Sequence, residues 1–315
     1  MLIFALPESR DFGEQIANEL GVGLAELEER SFPDGEFQSR AIDCPRGEDV
    51  FVVQSLHEGP NVSVCDKALR LLILLEALRD SGASRLTAII PYLAFARQDR
   101  RLRPHEPLAL RTLAQLLETA GVSAVITVDV HNLAAFQNAF RSRTIHLEAR
   151  EEFARKAVEI GLGDRIVIAS PDLGGADRAR RLGEALSRST GVPFNLAFLE
   201  KHRVDGKLVG MHFAGEVRDA HVLIVDDMIS TGSTLVRAVD ACRQRGARRI
   251  SAFATHGLFS GEAGKALERS GLEKIVVSDT VPPFRLAGSA LMDKLDVVSV
   301  APLFANAIRN MHENG

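Results

Sequence analysis

The run VLIVDDMISTGST, at residues 222–234, constrains the fold of this chain more than any other part of its sequence. Its first four residues are apolar and predict a buried parallel strand over 222–225. Two adjacent carboxylates, Asp226 and Asp227, follow, and a Ser/Thr/Gly turn then leads into a helical pattern. This order places acidic side chains and helix N-terminal N–H groups together at the carboxyl edge of a sheet, where open α/β folds bind ligands.

The turn and the carboxylates favour different parts of one ligand. The turn consists of Ser230, Thr231, Gly232, Ser233 and Thr234. Its hydroxyl and N–H groups lie at a predicted helix N-terminus, which suits a phosphate dianion. Asp226 and Asp227 would repel that phosphate, so we expect them to bind vicinal sugar hydroxyls, with or without a metal ion. The pattern therefore predicts a ribose 5-phosphate site. An ordinary Ser/Thr-capped helix is the alternative, but a cap needs one acceptor and not two preceding carboxylates.

Length and composition indicate a globular protein of two domains. A chain of 315 residues is too long for one ordinary core and suggests domains of about 150 residues each. A hydrophobic content of 46% and a charged content of 25% are typical of soluble globular proteins. The formal net charge of -4 argues against bulk nucleic-acid binding.

Two further features bear on the expected location. Cys44, Cys65 and Cys242 lie far apart without metal-ligand spacing, so we expect reduced thiols and a cytoplasmic protein. The first residues predict a strand and lack the basic flank of a signal peptide. No apolar run reaches membrane-spanning length, so we expect no membrane association.

Strand-like and helix-like stretches alternate along the whole chain. The predicted strands cover residues 2–6, 50–54, 86–91, 124–129, 166–170, 195–199, 222–225, 250–255 and 275–278. Helical patterns lie between them, for example over 66–81, 108–120, 176–189 and 232–245. Such alternation predicts parallel sheets with helices on both faces. We expect two similar α/β domains, residues 1–145 and 146–315, with the last helix a candidate for packing back on the first domain.

The loop after the predicted strand at 86–91 is rich in arginine. Arg97, Arg100 and Arg101 lie there, with Gln98 between them. Guanidinium groups suit the phosphates of a nucleotide, both by charge and by bidentate hydrogen bonding. A solvated charge run is the alternative, but the position directly after a buried strand favours an anion site.

Two other strand ends carry candidate metal or phosphate ligands. His131 follows the strand at 124–129 and lies beside Asp129, which makes metal or phosphate contact a better explanation than a purely structural histidine. Asp172 follows the strand at 166–170 and precedes two glycines, so it could hold Mg²⁺ that bridges phosphates. An ordinary glycine turn is the alternative there, although such a turn would not need flanking charged residues.

Two segments give weaker signals on their own. Lys201 and Arg203 follow the strand at 195–199, and a mobile cationic loop there could close over developing phosphoryl charge. Near the amino end, residues 32–36 carry an aromatic and two acids. The interpretation that Phe32 stacks on a base, while Asp34 and Glu36 accept hydrogen bonds from an exocyclic amine, depends on the family resemblance given below. The same segment would also be unremarkable as a surface turn.

Several motifs occur in a characteristic order over nearly the full length. They are FPDGE at 32–36, RGEDVFVVQS at 46–55, PYLAFARQDR at 91–100, DVH at 129–131, SPDLGG at 170–175, KHR at 201–203, the run at 222–234 and ATHGLFSG at 254–261. Together they resemble the ribose-phosphate diphosphokinase family, whereas type I phosphoribosyltransferases share only the run at 222–234. The resemblance implies two open parallel-sheet domains of the phosphoribosyltransferase type, the first on the ATP side and the second on the ribose 5-phosphate side.

The resemblance also implies a reaction. The β,γ-diphosphoryl group of ATP would pass to the 1-hydroxyl of ribose 5-phosphate, giving 5-phosphoribosyl 1-diphosphate and AMP. Ribose 5-phosphate would bind with its phosphate on residues 230–234 and its diol on Asp226 and Asp227. Lys201 and Arg203 would be the catalytic residues, because this chemistry depends mostly on alignment and charge neutralisation.

ATP binding is implied at residues from several of the motifs. They are Phe32, Asp34, Gly35, Glu36, Arg97, Gln98 and His131. The adenine would lie near residues 32–36, contributed by a neighbouring subunit of a homo-oligomer, and the phosphates would meet Arg97 and Gln98. Mg²⁺ is the implied cofactor, held by His131 and Asp172.

The chain departs from the common family pattern at a few positions. Ser230 stands where Asp is usual and Phe95 where Tyr is frequent, and the segment 201–210 also differs. These departures leave the control by phosphate and ADP, and the oligomer number, open. A catalytically silent regulatory paralogue and a phosphoribosyltransferase are the alternative functions. The retained charged residues argue against the first, and the loop with Arg97 and Gln98 argues against the second.

Overall fold

The computed structural model describes residues 1–163, 165–204 and 207–314, and the side chains of residues 1–163, 165–199 and 213–313. The chain forms two compact units. The first comprises Met1–Leu147 and Val300–Gly315, and the second comprises Glu148–Ser299. Within the described residues, no helix is both long and apolar enough to cross a membrane.

The first unit contains a parallel sheet and a separate hairpin. Its strands are β1 (Leu2–Ala5), β2 (Leu27–Ser31), β3 (Phe37–Ala41), β4 (Asp49–Val53), β5 (Arg85–Ile89), β6 (Ala124–Val128) and β7 (Arg143–Leu147). Its first helices are α1 (Arg10–Leu20), α2 (Val64–Asp80), α3 (Ala109–Thr119) and α4 (Leu133–Ala139). The parallel sheet has the order β1-β4-β5-β6-β7, and β2 pairs with β3 as an antiparallel hairpin.

Local sequence signals explain several boundaries. Ser63 begins α2 with a capping box, since its hydroxyl accepts from the Asp66 N–H at 3.1 Å and the Asp66 carboxylate accepts from the Ser63 N–H at 3.1 Å. Gly21 ends α1 in the left-handed conformation, with φ of 72°. Strand β4 is buried along its whole length, as expected for a parallel strand covered on both faces.

The second unit is built around a larger sheet. Its strands are β8 (Ile166–Ser170), β9 (Phe194–Val204), β10 (Lys207–Ala214), β11 (His221–Ile229), β12 (Arg249–Gly257), β13 (Lys274–Ser278) and β14 (Leu295–Val298). Its helices are α5 (Arg150–Glu159), α6 (Ala176–Thr190), α7 (Ser233–Gln244) and α8 (Ala263–Ser270). The strand order is β10-β9-β8-β11-β12-β13-β14, and within it β9 and β10 pair antiparallel. Strand β11 therefore lies at the centre of the sheet.

The last helix, α9 (Ala301–Asn314), belongs to the first unit although it follows the second in sequence. Its Phe304 packs edge-to-face on Phe12 of α1, with ring centres 5.5 Å apart. His312 Nδ1 lies 3.0 Å from Asp49 Oδ2 at the start of β4. An apolar pair and a polar contact thus fix α9 to one face of the first sheet.

The strands that the sequence did not predict are β2, β3, β7, β10 and β14. The first unit runs through β7 to Leu147, and α5 of the second unit begins at Arg150. The segment after 199 was expected to be a mobile loop, but its backbone continues β9 to Val204 and pairs with β10. Most of these strands lie at sheet edges and carry polar residues, so they lack a strong apolar signal.

Candidate active site

Asp226 and Asp227 lie inside strand β11, not after its end. The strand was expected to stop at 225, but β12 continues beside it and pairs with it as far as Ile229. Both carboxylates lie near the same guanidinium: Arg178 Nη1 is 3.6 Å from Asp226 Oδ1 and 3.9 Å from Asp227 Oδ1. The two acidic side chains and Arg178 of α6 thus form one charged cluster at the carboxyl side of the sheet.

Burial governs the charge of this cluster. The Asp227 side chain is only 5% exposed and that of Asp226 is 26% exposed. Burial and the neighbouring Asp227 carboxylate raise the pKa of Asp226 well above its ordinary value, and the Arg178 guanidinium opposes that rise. A group that donates hydrogen bonds to carboxylates, such as a sugar diol, would relieve the repulsion between them.

The turn between β11 and α7 is held in a conformation that exposes a helix N-terminus. Gly232 has φ of 73°, and a Cβ there would lie 3.2 Å from Leu267, so a larger residue would be strained. The Phe259 N–H donates to the Ile229 carbonyl at 3.0 Å, and the Ser260 N–H donates to the Ser230 carbonyl at 2.9 Å. Helix α7 begins directly afterwards, and the first N–H groups of a helix have no acceptor within it.

The hydroxyls of the turn lie close to those N–H groups. Thr231 and Ser233 are exposed, and their hydroxyl oxygens are 3.2 Å apart. Ser230 and Thr234 are half-buried. A turn of this composition at a helix N-terminus can bind one phosphate group through backbone and side-chain donors. The predicted phosphate residues, 230–234, thus follow the end of β11, and only Met228 and Ile229 separate them from the acidic pair.

Asp172 lies at the end of β8 and has a local structural role that the sequence argument did not foresee. Its Oδ1 accepts from the Gly175 N–H at 3.2 Å, which caps the short helical turn Leu173–Gly175. The Ser170 hydroxyl donates to the Asp172 carbonyl at 2.6 Å. A Cβ at Gly175 would lie 2.4 Å from the Ser170 hydroxyl, so the turn is packed too closely for a larger residue. The Asp172 carboxylate stays half-exposed.

In the first unit, two loops at the carboxyl edge of the sheet are tied together. The Asn132 amide donates to Asp99 Oδ2 at 2.6 Å, joining the loop after β6 to the loop after β5. Asn132 also caps α4, since its Oδ1 accepts from the Ala135 N–H at 3.1 Å. Sequence reasoning missed Asn132, although an Asn directly before a helical pattern is a recognisable cap signal.

These loops carry three of the predicted nucleotide residues. Arg97 and Gln98 are exposed after β5, and His131 is exposed after β6 beside Asn132. Arg97 makes no ion pair within the part of the chain that the structure describes. In contrast, Arg100 is paired with Asp99 at 2.8 Å, and this pairing is the largest cause that lowers the Asp99 pKa. Of the expected arginine cluster, Arg97 is thus the better placed to bind a phosphate.

The tip of the β2–β3 hairpin contains the predicted adenine residues, Phe32, Asp34, Gly35 and Glu36. The Phe32 N–H donates to the Glu36 carbonyl at 2.8 Å, and Gly35 takes φ of 94°. Asp34 Oδ1 accepts from the Glu36 N–H at 3.2 Å, so this carboxylate also shapes the turn. The Arg30 guanidinium carbon lies 4.9 Å from the centre of the Phe32 ring. The tip is a tight turn that presents one half-buried aromatic ring.

The remaining predicted residues are only partly described. The backbones of Lys201 and Arg203 lie in β9, but their side chains lie outside the described residues. His131 belongs to the first unit and Asp172 to the second. Among the described side chains, no three His, Cys, Asp or Glu residues come together as a preformed metal site.

A central strand that carries an acidic pair, followed by a phosphate-type helix N-terminus, defines an α/β protein of the phosphoribosyl-binding class. Comparisons with known proteins identify the family within this class. Residues 1–121 match the family model described as the N-terminal domain of ribose phosphate pyrophosphokinase. Residues 185–315 match the phosphoribosyl synthetase-associated domain.

Full-length relatives and a solved structure agree with these models. The chain is 37% identical to the ribose-phosphate pyrophosphokinase of Fusobacterium nucleatum, covering 99% of this chain and 95% of the relative. It is 36% identical to a putative ribose-phosphate pyrophosphokinase 2 of Lactiplantibacillus plantarum, covering 99% and 93%. The phosphoribosylpyrophosphate synthetase of Mycobacterium smegmatis superposes with a TM-score of 0.89 and 34% identity, covering 100% and 99%. The chain belongs to the ribose-phosphate pyrophosphokinase family.

Proposed function

We propose that the chain carries out the reaction of its family on the site described above. The β,γ-diphosphoryl group of ATP passes to the 1-hydroxyl of ribose 5-phosphate, and the products are 5-phosphoribosyl 1-diphosphate and AMP. The 1-hydroxyl oxygen bonds to the β-phosphorus, the bond from that phosphorus to the α,β-bridging oxygen breaks, and the hydroxyl proton is lost. The observation that carries the proposal is the acidic pair of β11 followed directly by the turn that begins α7.

Ribose 5-phosphate binds across this element. Its phosphate meets the hydroxyls and N–H groups of residues 230–234, and its 2- and 3-hydroxyls donate to Asp226 and Asp227. The buried carboxylates repel each other, which favours a ligand that donates hydrogen bonds over an anion. The diol and the phosphate of one sugar can therefore be held by consecutive parts of a single strand, turn and helix.

ATP binds to the first unit. The triphosphate meets Arg97 and Gln98, which are exposed on the loop that Asn132 anchors, with His131 on the adjoining loop. The adenine stacks on Phe32 of a hairpin that a neighbouring subunit supplies, so the active form is a homo-oligomer. The adenine amine donates to the acidic residues of the same turn, Asp34 and Glu36.

Mg²⁺ is the cofactor in this proposal. Mg²⁺ keeps several waters and binds through one or two carboxylates together with substrate phosphates, so a preformed cluster of several protein ligands is not required. Asp172 fits this role because its carboxylate is oriented by Gly175 and stays half-exposed at a strand end. His131 is the second candidate, directly or through water. When bound, the ion neutralises phosphate charge during the transfer.

Lys201 and Arg203 supply further positive charge at the β-phosphate. Such cations act on the charge that develops during transfer, more than on ATP in the ground state. We also place the enzyme in the cytoplasm, where the three unpaired cysteines would stay reduced.

The test measures AMP formed by the purified protein from ATP, ribose 5-phosphate and Mg²⁺, with and without inorganic phosphate. Ribose 5-phosphate-dependent AMP supports the proposal. Equal rates with and without inorganic phosphate would connect the Ser230 turn with altered control. No AMP under either condition would contradict the proposal and favour a silent regulatory paralogue.

A further inference from the structure

Arg70, on α2, joins the β2–β3 hairpin to the rest of the first unit. Its Nη1 lies 2.9 Å from Glu29 Oε2 on β2 and 3.9 Å from Glu8 Oε1, in the turn that follows β1. Its guanidinium carbon lies 4.8 Å from the centre of the Phe37 ring on β3. A single side chain therefore contacts both strands of the hairpin and the turn that follows β1.

The two faces of the hairpin differ. Leu27 and Ala41, at the base, pack against the apolar core of the first unit. The outer face carries Glu28, Arg30, Gln38 and Arg40, which line an open cavity of about 340 Å³. Beyond the base, the inner face carries Glu29, Ser39 and Phe37, and Ser39 donates to Glu29 Oε1 at 2.6 Å. Apolar packing thus fixes the base, whereas the direction of the hairpin beyond it depends on the contacts of Glu29 and Phe37 with Arg70.

The burial of these groups makes the contact with Arg70 strong. The side chain of Arg70 is 16% exposed, that of Glu29 is 11% exposed and that of Glu8 is 19% exposed. Charge-assisted hydrogen bonds in such surroundings are stronger than exposed ion pairs. Loss of Arg70 would also leave two neighbouring carboxylates without the cation that they share. An isolated two-stranded hairpin is only marginally stable, so it depends on attachments of this kind.

The outer face offers a matched comparison. Arg40 and Glu28 form an ion pair at 2.9 Å across the same two strands, but their side chains are 68% and 60% exposed. That pair joins β2 to β3 without joining the hairpin to α2. Its removal should therefore leave the orientation of the hairpin unchanged.

We propose that Arg70 is a positioning residue for the adenine-binding tip of the hairpin, residues 32–36. The inference rests on the proposed function, in which Phe32 stacks on the adenine of ATP. Strand β2 continues from Glu29 through its last residue, Ser31, directly into the tip, so a displacement of Glu29 is transmitted to Phe32. Arg70 acts through the hairpin and has no part in binding ribose 5-phosphate.

The experiment compares Arg70→Gln and Glu29→Gln with the wild type and with Arg40→Gln. Arg70→Gln and Glu29→Gln should raise the KM for ATP about three- to tenfold, the size expected from one partly buried charged contact. The KM for ribose 5-phosphate should stay within about twofold, and Arg40→Gln should leave both constants unchanged. Arg70→Lys should be intermediate, because lysine keeps the charge but lacks the planar fork that also stacks on Phe37.

Several outcomes would overturn the inference. An unchanged KM for ATP in Arg70→Gln and Glu29→Gln would do so, as would equal rises in both Michaelis constants, which indicate a general structural effect. If the Arg70→Gln variant is thermally destabilised or no longer forms the oligomer, the KM values of Glu29→Gln and Arg70→Lys test the positioning role instead. If the wild type releases no AMP, the proposed function fails; ATP affinity, measured by equilibrium dialysis on the same variants, then tests Arg70 separately.

Discussion

Asp226 and Asp227 limit what the site in the second unit can bind, because they combine burial with like charge. Asp227→Asn keeps the volume of the side chain and removes one charged acceptor. We expect the KM for ribose 5-phosphate to rise about tenfold with little change for ATP, as for a lost hydrogen bond to a charged group. Steady-state kinetics with each substrate varied in turn checks this. Asp240→Asn, at an exposed position on α7, is the matched control, and an unchanged constant in Asp227→Asn would refute the diol assignment.

We propose that Lys201 stabilises the transition state more than it stabilises bound ATP. Its removal should therefore lower kcat without weakening ATP binding, unlike the removal of a residue that binds ATP. We expect Lys201→Ala to lower kcat by about 10²–10³, the cost of losing one group that stabilises developing charge. The dissociation constant for ATP should stay within about threefold by the same argument. Lys265→Ala, which removes an exposed lysine of α8, serves as the control. Near-normal turnover would remove Lys201 from the catalytic role.

The turn between β11 and α7 acts as one element, and Gly232 sets its conformation. Gly232→Ala places a Cβ at φ of 73° and 3.2 Å from Leu267, so we expect a loss of about 1 kcal/mol in the free energy of unfolding. It should also raise the KM for ribose 5-phosphate, because the proposed phosphate donors belong to this turn. Kinetics and thermal unfolding of the same preparations measure both effects.

Gly246 provides the matched control for that substitution. It has φ of 85°, and a Cβ there would lie 3.4 Å from Arg218, at the opposite end of α7. Gly246→Ala should cost similar stability and leave the KM for ribose 5-phosphate unchanged. If both substitutions raise the KM for ribose 5-phosphate equally, the rise comes from backbone strain in general and not from a change in the geometry of the turn.

The strands predicted correctly from sequence are those formed by uninterrupted runs of mainly apolar residues. The strands at 222–225 and 166–170 show such runs, and the structure contains β11 and β8 there. The hairpin β2–β3 was missed because its inner face is held by Glu29 and Arg70, residues 41 positions apart, instead of by an apolar pattern. A contact of that sequence separation leaves no periodic signal. For the same reason, the sequence does not reveal the hydrogen bond between Asn132 and Asp99, which joins the loops after β5 and β6.

At the level of the whole molecule, alternation of strands and helices predicted two parallel-sheet units, and the chain has them. The assignment of α9 to the first unit depends on Phe12 and Phe304, nearly the full length of the chain apart. Sequence patterns report which face of a helix is apolar but not which sheet covers it. The candidate site residues are easier to predict from sequence, since charged side chains at strand ends stand out in otherwise apolar surroundings.

The stability of the whole molecule should depend on pH through His221, at the start of β11. The residue is 2% exposed, Nε2 lies 3.0 Å from the Ser251 hydroxyl oxygen, and Nδ1 has no hydrogen-bond partner within the described residues. Burial, helped by the nearby Arg249, lowers the pKa of His221 from 6.5 to about 4. Between these values the unfolded chain binds a proton that the folded chain does not. The free energy of unfolding should therefore fall as the pH drops from 6.5 toward 4, while the contribution is complete above 6.5.

His221→Asn removes this titration while keeping a polar side chain beside Ser251. Thermal unfolding midpoints at pH 7.5 and pH 5 should then differ less for the variant than for the wild type. The comparison uses the change with pH and not the absolute midpoint, so a general loss of stability in the variant does not affect it. Carboxylates that also titrate in this range contribute equally to both proteins and cancel. Identical changes with pH in the two proteins would mean that His221 takes up its proton in the folded state as readily as in the unfolded one.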